Sequence, residues 1–488
     1  MLLALWARAN IIIQPVRGGI MKRLAFCFDG TWNRLDAPDP TNVVITAQSI
    51  SPVAKNGTVQ IIHYDQGVGT AKGTELSGGI FGAGLLDNIV KAYTFLVFNY
   101  EVGDEIFVFG FSRGAYTARS FVGLLRTVGI LRRRDAGHIT AAVERYKRRK
   151  IGEDHNSEDL LQFRLKAAPQ VCVDQAEDAW RCKNGPGYVS GSSPIFRIRY
   201  VGVWDTVGSL GVPDTLLIAP LVNKDELFHD TDLSELVVSA RHAVAIDELR
   251  KSFAPTLWTN LEVLNASLGF GRGDKNAPYQ QKWFPGVHGS VGGGGAERGL
   301  SDYPLDWIVE GARNAGLELD ASDGSAIYSL APNPLAPLVN SKSTTWSLAG
   351  IAMKVLPKAS RMPGPDNIAD VSPSAINRWA AEAKELPEGS LYRPHTLDRV
   401  SAELSSSAKG APPIPQTVCT VPSSITDEPT SGSHYRVVRG DTLGGIAQKA
   451  YGTSSKDDDI LQANPAMLTG KNHIYVGQVL YLPPMVVV

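Results

Sequence analysis

DEIFVFGFSRGAYTARSFVGLL, residues 104–125, decides the reading of the chain. Residues 106–109 form a short, unbroken apolar run, the pattern of a strand buried on both faces. Gly110-Phe111-Ser112-Arg113-Gly114 follows at once, and the residues after it have helical character. A strand running through G-x-S-x-G into a helix is the setting of a nucleophile elbow. Ser112 has to occupy a strained turn there, and side chains at Gly110 and Gly114 would clash with neighbouring elements. The turn lifts the hydroxyl above the sheet at a helix N-terminus. Backbone N–H groups and the helix dipole can stabilise developing negative charge at that point. A glycine-rich turn with a capping serine gives the same pentapeptide, so the flanking strand and helix carry the reading.

Outward from the elbow, LAFCFDG (24–30), VQIIHYDQG (59–67) and FRIRYVGVWDTV (196–207) repeat the buried-strand pattern. NIVKAYTFLVFNY (88–100) has helical length and spacing. Strands alternating with helices predict an α/β fold: a three-layer α/β-hydrolase sandwich around a mostly parallel sheet. ARHAVAIDELRKSF (240–253) reads as helical, with His242 packed or capping. Residues 140–194 and 321–388 are polar, punctuated by Gly and Pro and weakly periodic, so they read as caps or peripheral insertions.

A serine hydroxyl is a weak nucleophile at neutral pH and needs a base and an orienting acid. In this fold they follow in the order Ser, Asp/Glu, His. Asp205 closes the strand 200–204 and so stands at the C-terminal edge of the sheet, where α/β folds place their chemistry. His288 lies in WFPGVHG (283–289), ahead of a glycine run at 292–295. His63 precedes the nucleophile, and His434 and His473 lie far downstream. An oxyanion hole needs two donors. The N–H of Arg113 is one, and DGTWN (29–33) offers the other through Gly30 and Thr31.

Composition limits the alternatives. The chain has 488 residues, with 48 Lys and Arg against 49 Asp and Glu, which gives no whole-molecule case for binding nucleic acid. The basic clusters 132–134 and 147–150 read as a solvated helix face and loop, against the sharper reading of a dock for anionic lipid headgroups. Four scattered cysteines without CxxC spacing make no zinc site, and no metal or cofactor is needed. Cys27 reads as a buried thiol, and Cys172 and Cys182 could pair under oxidising conditions. No run is long and apolar enough to span a bilayer. Residues 1–20 make a poor signal peptide, and Met21 stands directly before the first convincing strand.

FCFDGTWN (26–33), YDQGVGT (64–70), GFSRGAYTAR (110–119), GVWDTVG (202–208), RKSFAPTLW (250–258) and WFPGVHGSVGGGG (283–295) occur in that order. Together they resemble the DUF2235 family of α/β-hydrolases, which includes phospholipase effectors of bacterial type VI secretion. The resemblance spans about residues 21–307. It implies Ser112 as nucleophile, Asp205 as acid, His288 as base and glycerophospholipid acyl esters as substrates. It further implies a membrane surface, an immunity protein and a secretion-spike protein as partners. The producer's cytoplasm before non-Sec export and the envelope of a target cell are the implied locations. Ser290 departs from the family, which usually carries an acidic residue two positions after the histidine.

Residues 435–443, Ile446-Ala447, Asn464-Pro465 and 474–480 resemble a LysM domain of β-α-α-β pattern. Such modules bind N-acetylglucosamine polymers such as peptidoglycan, and Gly440, Asp441, Thr442, Asn464 and Ile474 would line the sugar groove. The organisation expected is an N-terminal extension (1–20), a hydrolase domain with cap insertions (21–395), a flexible linker (396–433) and the LysM module (434–484). Two other functions fit the same residues. One is a carboxylesterase that does not act on lipid, and the other is a peptidoglycan-binding protein with a vestigial hydrolase core.

Overall fold

The apolar runs become strands because both faces of the sheet are covered. In β1 (Lys22–Phe28), every residue after the first is buried. The computed structural model describes residues 21–30, 33, 35–67, 78–149, 154–208, 232–320, 327, 330–339, 359–408, 425–426, 429–431, 434–437, 441–464, 474 and 479–484. The first part of the chain continues with α1 (Asn42–Ser49), β2 (Val59–Asp65), α2 (Gly78–Asn99), β3 (Glu105–Phe111) and α3 (Arg113–Val128). Then come α4 (Ile139–Arg148), α5 (Glu158–Ala167), α6 (Gln175–Asn184), β4 (Ile198–Trp204), β5 (Ala240–Ala245) and α7 (Leu261–Ser267). It closes with β6 (Tyr279–Phe284), α8 (His288–Gly292), α9 (Asp302–Asn314), α10 (Pro373–Ala380) and α11 (Ser401–Ala408).

The six strands pair in the order β2-β1-β3-β4-β5-β6, all parallel. Leu24, Phe26, Phe28, Ile106 and Val108 pack on α2 and α3 through Tyr93, Leu96, Phe121 and Leu125. On the opposite face α9 receives Tyr200, whose hydroxyl donates to Ile308 O at 2.7 Å, and Trp204, whose indole donates to Pro304 O at 3.2 Å. This is the expected α/β sandwich. The connections from β1 lead to β2 on one side and, through β2, to β3 on the other, so the sheet has a switch point at the C-terminal ends of β1 and β3.

Three expectations change. Residues 240–245 are strand β5, not helix: Ala240, His242, Ala243, Val244 and Ala245 are buried between β4 and β6, and Arg241 and His242, partnered by Glu310 and Gln281, break the apolar run that marks the other buried strands. The linker does not begin at 396. Residues 395–408 are helical, and Leu397, Val400 and Leu404 are fully buried with Trp379 and Tyr392 against Val244, Ile246 and Trp283. Cys172 and Cys182 are both free thiols, one buried and one exposed. Cys27 is buried as expected, and burial pushes its thiol well above the ordinary range.

The weakly periodic segment around α5 and α6 is held by charge. Glu177 is fully buried between Arg164 (3.0 Å) and Arg181 (2.6 Å). In the basic cluster at 132–134, Arg132 pairs with Asp135, and Arg133 pairs with Glu101 at 2.9 Å.

The chain divides into two units, Met1–Leu319 with Pro332–Ala411, and Asp320–Ala331 with Pro412–Val488. In the second, β7 (Ile425–Thr426), β8 (His434–Arg436) and β9 (Val479–Tyr481) form a small sheet beside α12 (Leu443–Tyr451) and α13 (Asp457–Ala463). Tyr435, Leu443, Ile446, Ile460, Leu480 and Leu482 make its core. Among the described residues no helix is long and apolar enough to cross a membrane.

Candidate active site

Ser112 follows the last residue of β3 and precedes α3, with φ 59° and ψ −124°, in the positive-φ region that L-residues avoid. The close approach of neighbouring backbone explains both glycines of the pentapeptide. A Cβ at Gly110 would stand 2.5 Å from Gly114 O, and one at Gly114 would overlap the carbonyls of Phe28 and Asp29. The strained turn is pinned by a hydrogen bond from Ser112 N–H to Trp204 O at 3.0 Å.

Asp205 directly follows β4 in a second positive-φ conformation, 39°. Its backbone N–H donates to Ala243 O (2.7 Å), and its Oδ1 accepts from Ala245 N–H (2.9 Å). His288 opens the short helix α8 beyond β6. The three side chains, separated by 83 to 176 positions, meet at the C-terminal edge of the sheet. His288 Nε2 lies 2.7 Å from Ser112 Oγ, and His288 Nδ1 lies 2.5 Å from Asp205 Oδ2. All three are buried. The ring of His288 sits between Phe111 and Phe253, with centroids at 4.7 and 4.8 Å.

Electrostatics fixes the proton positions. Burial would push the Asp205 carboxyl up, but the Arg361 charge and then the hydrogen bond and charge of His288 outweigh it. The carboxyl is held far below its usual range. An ionised Asp205 only accepts, so Nδ1 of His288 donates to it and Nε2 is left to accept the serine proton. Burial lowers the His288 value below that of a free histidine, and the bond to Asp205 offsets this only in part.

The loop after β1 lies against the elbow, where a Cβ at Gly30 would stand 3.2 Å from Ser112 Cβ. Yet the Gly30 N–H donates to Asp29 Oδ1 at 2.7 Å, so its expected role as an oxyanion donor is not met in this arrangement. Asp29 is saturated by that bond and by the hydroxyls of Thr41 (2.8 Å) and Tyr64 (2.9 Å). Thr31 lies outside the described residues. Arg113 occupies the first helical position of α3, where backbone N–H groups point out of the helix end.

The rival His242 is buried in β5. Its Nε2 accepts from Thr206 N–H (3.2 Å), and its Nδ1 donates to Gln281 Oε1 (2.9 Å). Burial, and then the Arg119 charge, push its pKa down to about 3, so it is neutral at ordinary pH. His63 packs against Phe26 and Phe95, and His473 lies outside the described residues. Ser290 donates to Leu338 O at 2.7 Å.

Two residues near the triad escaped sequence reasoning. Glu248 accepts from His288 N–H (3.3 Å) and pairs with Arg250 (2.6 Å). Reading 240–245 as a strand would have put Glu248 at the sheet's chemical edge. Arg361 pairs with both oxygens of Asp205 and comes from the unperiodic zone 321–388, which holds no signal for it.

In the second unit, two expected groove residues are engaged internally. Asn464 is buried, its amide donating to Ile460 O and Tyr481 O and its oxygen accepting from Tyr481 N–H, so it ties α13 to β9. Asp441 accepts from Tyr435 Oη (2.7 Å) and Lys449 Nζ (3.1 Å). Thr442 is exposed and caps α12, accepting from Gly445 N–H, and Ile474 packs against the small core. Gly440 lies outside the described residues.

Residues 22–311, more than half the chain, match the family model described as "T6SS, Phospholipase effector Tle1-like, catalytic domain". Residues 435–483 match the LysM domain model. The chain is 26% identical over 255 residues to the uncharacterised protein YEL023C of Saccharomyces cerevisiae, covering 49% of this chain and 33% of that one. It is 41% identical over 54 residues to the potassium binding protein Kbp of Escherichia coli O6:H1, covering 11% of this chain and 36% of that one. It thus spans about a third of the length of the curated relatives it matches. Two solved structures are distantly similar, each at 17% identity. One is an uncharacterised protein from Pseudomonas aeruginosa, with TM-score 0.34, covering 65% of this chain and 49% of that one. The other is the Tle1 effector bound to the VgrG spike of the type 6 secretion system, with TM-score 0.31, covering 57% and 52%.

Proposed function

Since the chain belongs to the Tle1-like family of type VI secretion phospholipase effectors and carries a LysM domain, we propose that it is a serine esterase that cleaves acyl esters of membrane phospholipids. The observation carrying this reading is the continuous hydrogen-bonded line from Ser112 Oγ through His288 to an ionised Asp205 at the sheet's switch point.

His288 Nε2 takes the hydroxyl proton as Ser112 Oγ bonds to the ester carbonyl carbon. The resulting imidazolium is stabilised by Asp205 across the Nδ1–H bond. The negative charge gathers on the former carbonyl oxygen, where Arg113 N–H at the start of α3 is the proposed donor. Collapse of the tetrahedral species breaks the bond to the leaving alkoxide, which receives the proton from His288. Water, deprotonated by the same nitrogen, then releases the fatty acid and restores Ser112.

The LysM module is proposed to hold the enzyme on N-acetylglucosamine polymers of the cell wall, raising its concentration beside the adjoining membrane. Export by the type VI route, action in a target envelope, a spike protein for delivery and an immunity protein in the producer are proposed with this reading. Purified chain and its Ser112→Ala variant, incubated with phospholipid vesicles and analysed by lipid mass spectrometry, test the reading. Fatty acid and lysophospholipid are expected from the first and none above background from the second. Equal release by both would remove Ser112 from the chemistry.

A further inference from the structure

We infer that Arg361 is a positioning residue of this site, sharing the Asp205 carboxylate with His288 and thereby setting how far into acid the base still works. The inference rests on the triad reading proposed above and goes beyond it, because Arg361 lies outside residues 22–311, the part matched by the catalytic-domain model.

The geometry is a closed fork. Nη1 of Arg361 donates to Asp205 Oδ1 (2.5 Å) and Ala245 O (2.9 Å), while Nη2 donates to Asp205 Oδ2 (2.9 Å) and Phe253 O (2.6 Å). The side chain is buried and both carboxylate oxygens are engaged. A planar guanidinium matches a carboxylate in two parallel bonds and fixes its plane as well as its charge. Here it also spans two backbone segments, the end of β5 and the turn at Phe253, whose ring lies against His288. Arg361 therefore ties the acid, which Ala245 N–H also holds, to one wall of the imidazole site.

The charge has a separate consequence. A carboxylate that serves only a histidine stabilises the imidazolium fully and raises the basicity of the ring. With a cation bidentate on the same carboxylate, that stabilisation is partly cancelled. The groups acting on His288 are Asp205 and Glu248, which favour its protonation, and Arg361, which opposes it. Glu248 is itself paired with Arg250, and the nearby His242 is neutral. Arg361 is thus the buried cation that counters Asp205, and its direction of action is to keep His288 unprotonated into more acidic solution.

The test is the pH dependence of kcat/KM of the full chain on dispersed phospholipid over about pH 4 to 9. It is run for wild type, Arg361→Met and Arg361→Lys, with thermal melts to establish folding. In Arg361→Met the acid limb is expected to rise by about one pH unit, so activity on that limb falls about tenfold more than activity on the plateau. Arg361→Lys keeps a charge but cannot fork: its acid limb is expected to stay within about half a unit of wild type while its plateau rate falls. A uniform loss in Arg361→Met with an unmoved acid limb would overturn the inference, leaving a merely structural role. Should the methionine variant fail to fold, a lysine variant identical to wild type in both limb and plateau would overturn it as well. Failure of the triad reading is separable, because it is read from Ser112→Ala alone.

Discussion

Glu177 and Asp205 are both wholly buried against arginine, and they do different things. Glu177 is shared by Arg164 and Arg181 and also accepts from Val173 N–H. The two guanidiniums also donate to the carbonyls of Thr127, His155, Ala168 and Pro169 and to Asn156 Oδ1. Every partner of the Glu177 carboxylate is a guanidinium or a backbone N–H, so no group beside it can take up a proton from a substrate or a hydroxyl. Asp205 has one arginine, and its remaining strong partner is a histidine in contact with a hydroxyl. Pairing with arginine fixes either carboxylate in place. Only a titratable neighbour turns that charge into a means of moving protons.

The comparison can be broken at Asp205 first. Asp205→Asn is expected to cut kcat by about 10⁴-fold, because the amide NH2 placed against His288 donates, which makes Nδ1 an acceptor and selects the wrong tautomer. A variant that keeps its rate and loses only stability would make Asp205 another Glu177. The reciprocal change, Glu177→Gln, is expected to cost about 3–5 kcal/mol of stability by leaving two buried guanidiniums without their carboxylate. Urea titration measures it, and kcat per folded molecule is expected to match wild type. A large drop in kcat there would join the two sites functionally.

A smaller effect sharpens the comparison through pH. His288 has its pKa below the ordinary histidine value of about 6.5, so kcat/KM is expected to retain more than half its plateau at pH 6.5. The sign follows from the base being active when unprotonated: activity is complete well above the lowered value and falls as pH drops through it. An acid limb centred above about 6.5 would mean that Asp205 raises the histidine more than burial lowers it.

Legibility followed the kind of force involved. The elbow was readable because sterics writes it locally: two glycines forced by backbone crowding, a serine between them, an apolar strand before and a helix after. Asp205 and His288 were readable from their places after strand-like runs. The strand at 240–245 is hard to read because Arg241 and His242 interrupt its apolar run. Helices at 395–408 were missed because their few apolar anchors, Leu397, Val400 and Leu404, sit in a polar and serine-rich context. Gly30 was placed correctly beside the nucleophile, but only the fold reveals that the neighbouring aspartate takes its N–H.

The sequence by itself determined the α/β class, the strained serine turn and the small C-terminal module, because each is encoded within a few dozen consecutive residues. Only the tertiary structure decided that an arginine 156 positions beyond Asp205 would share its charge. An ion pair needs two side chains to meet in a desolvated place, and no periodicity or spacing along the chain records where that place will be.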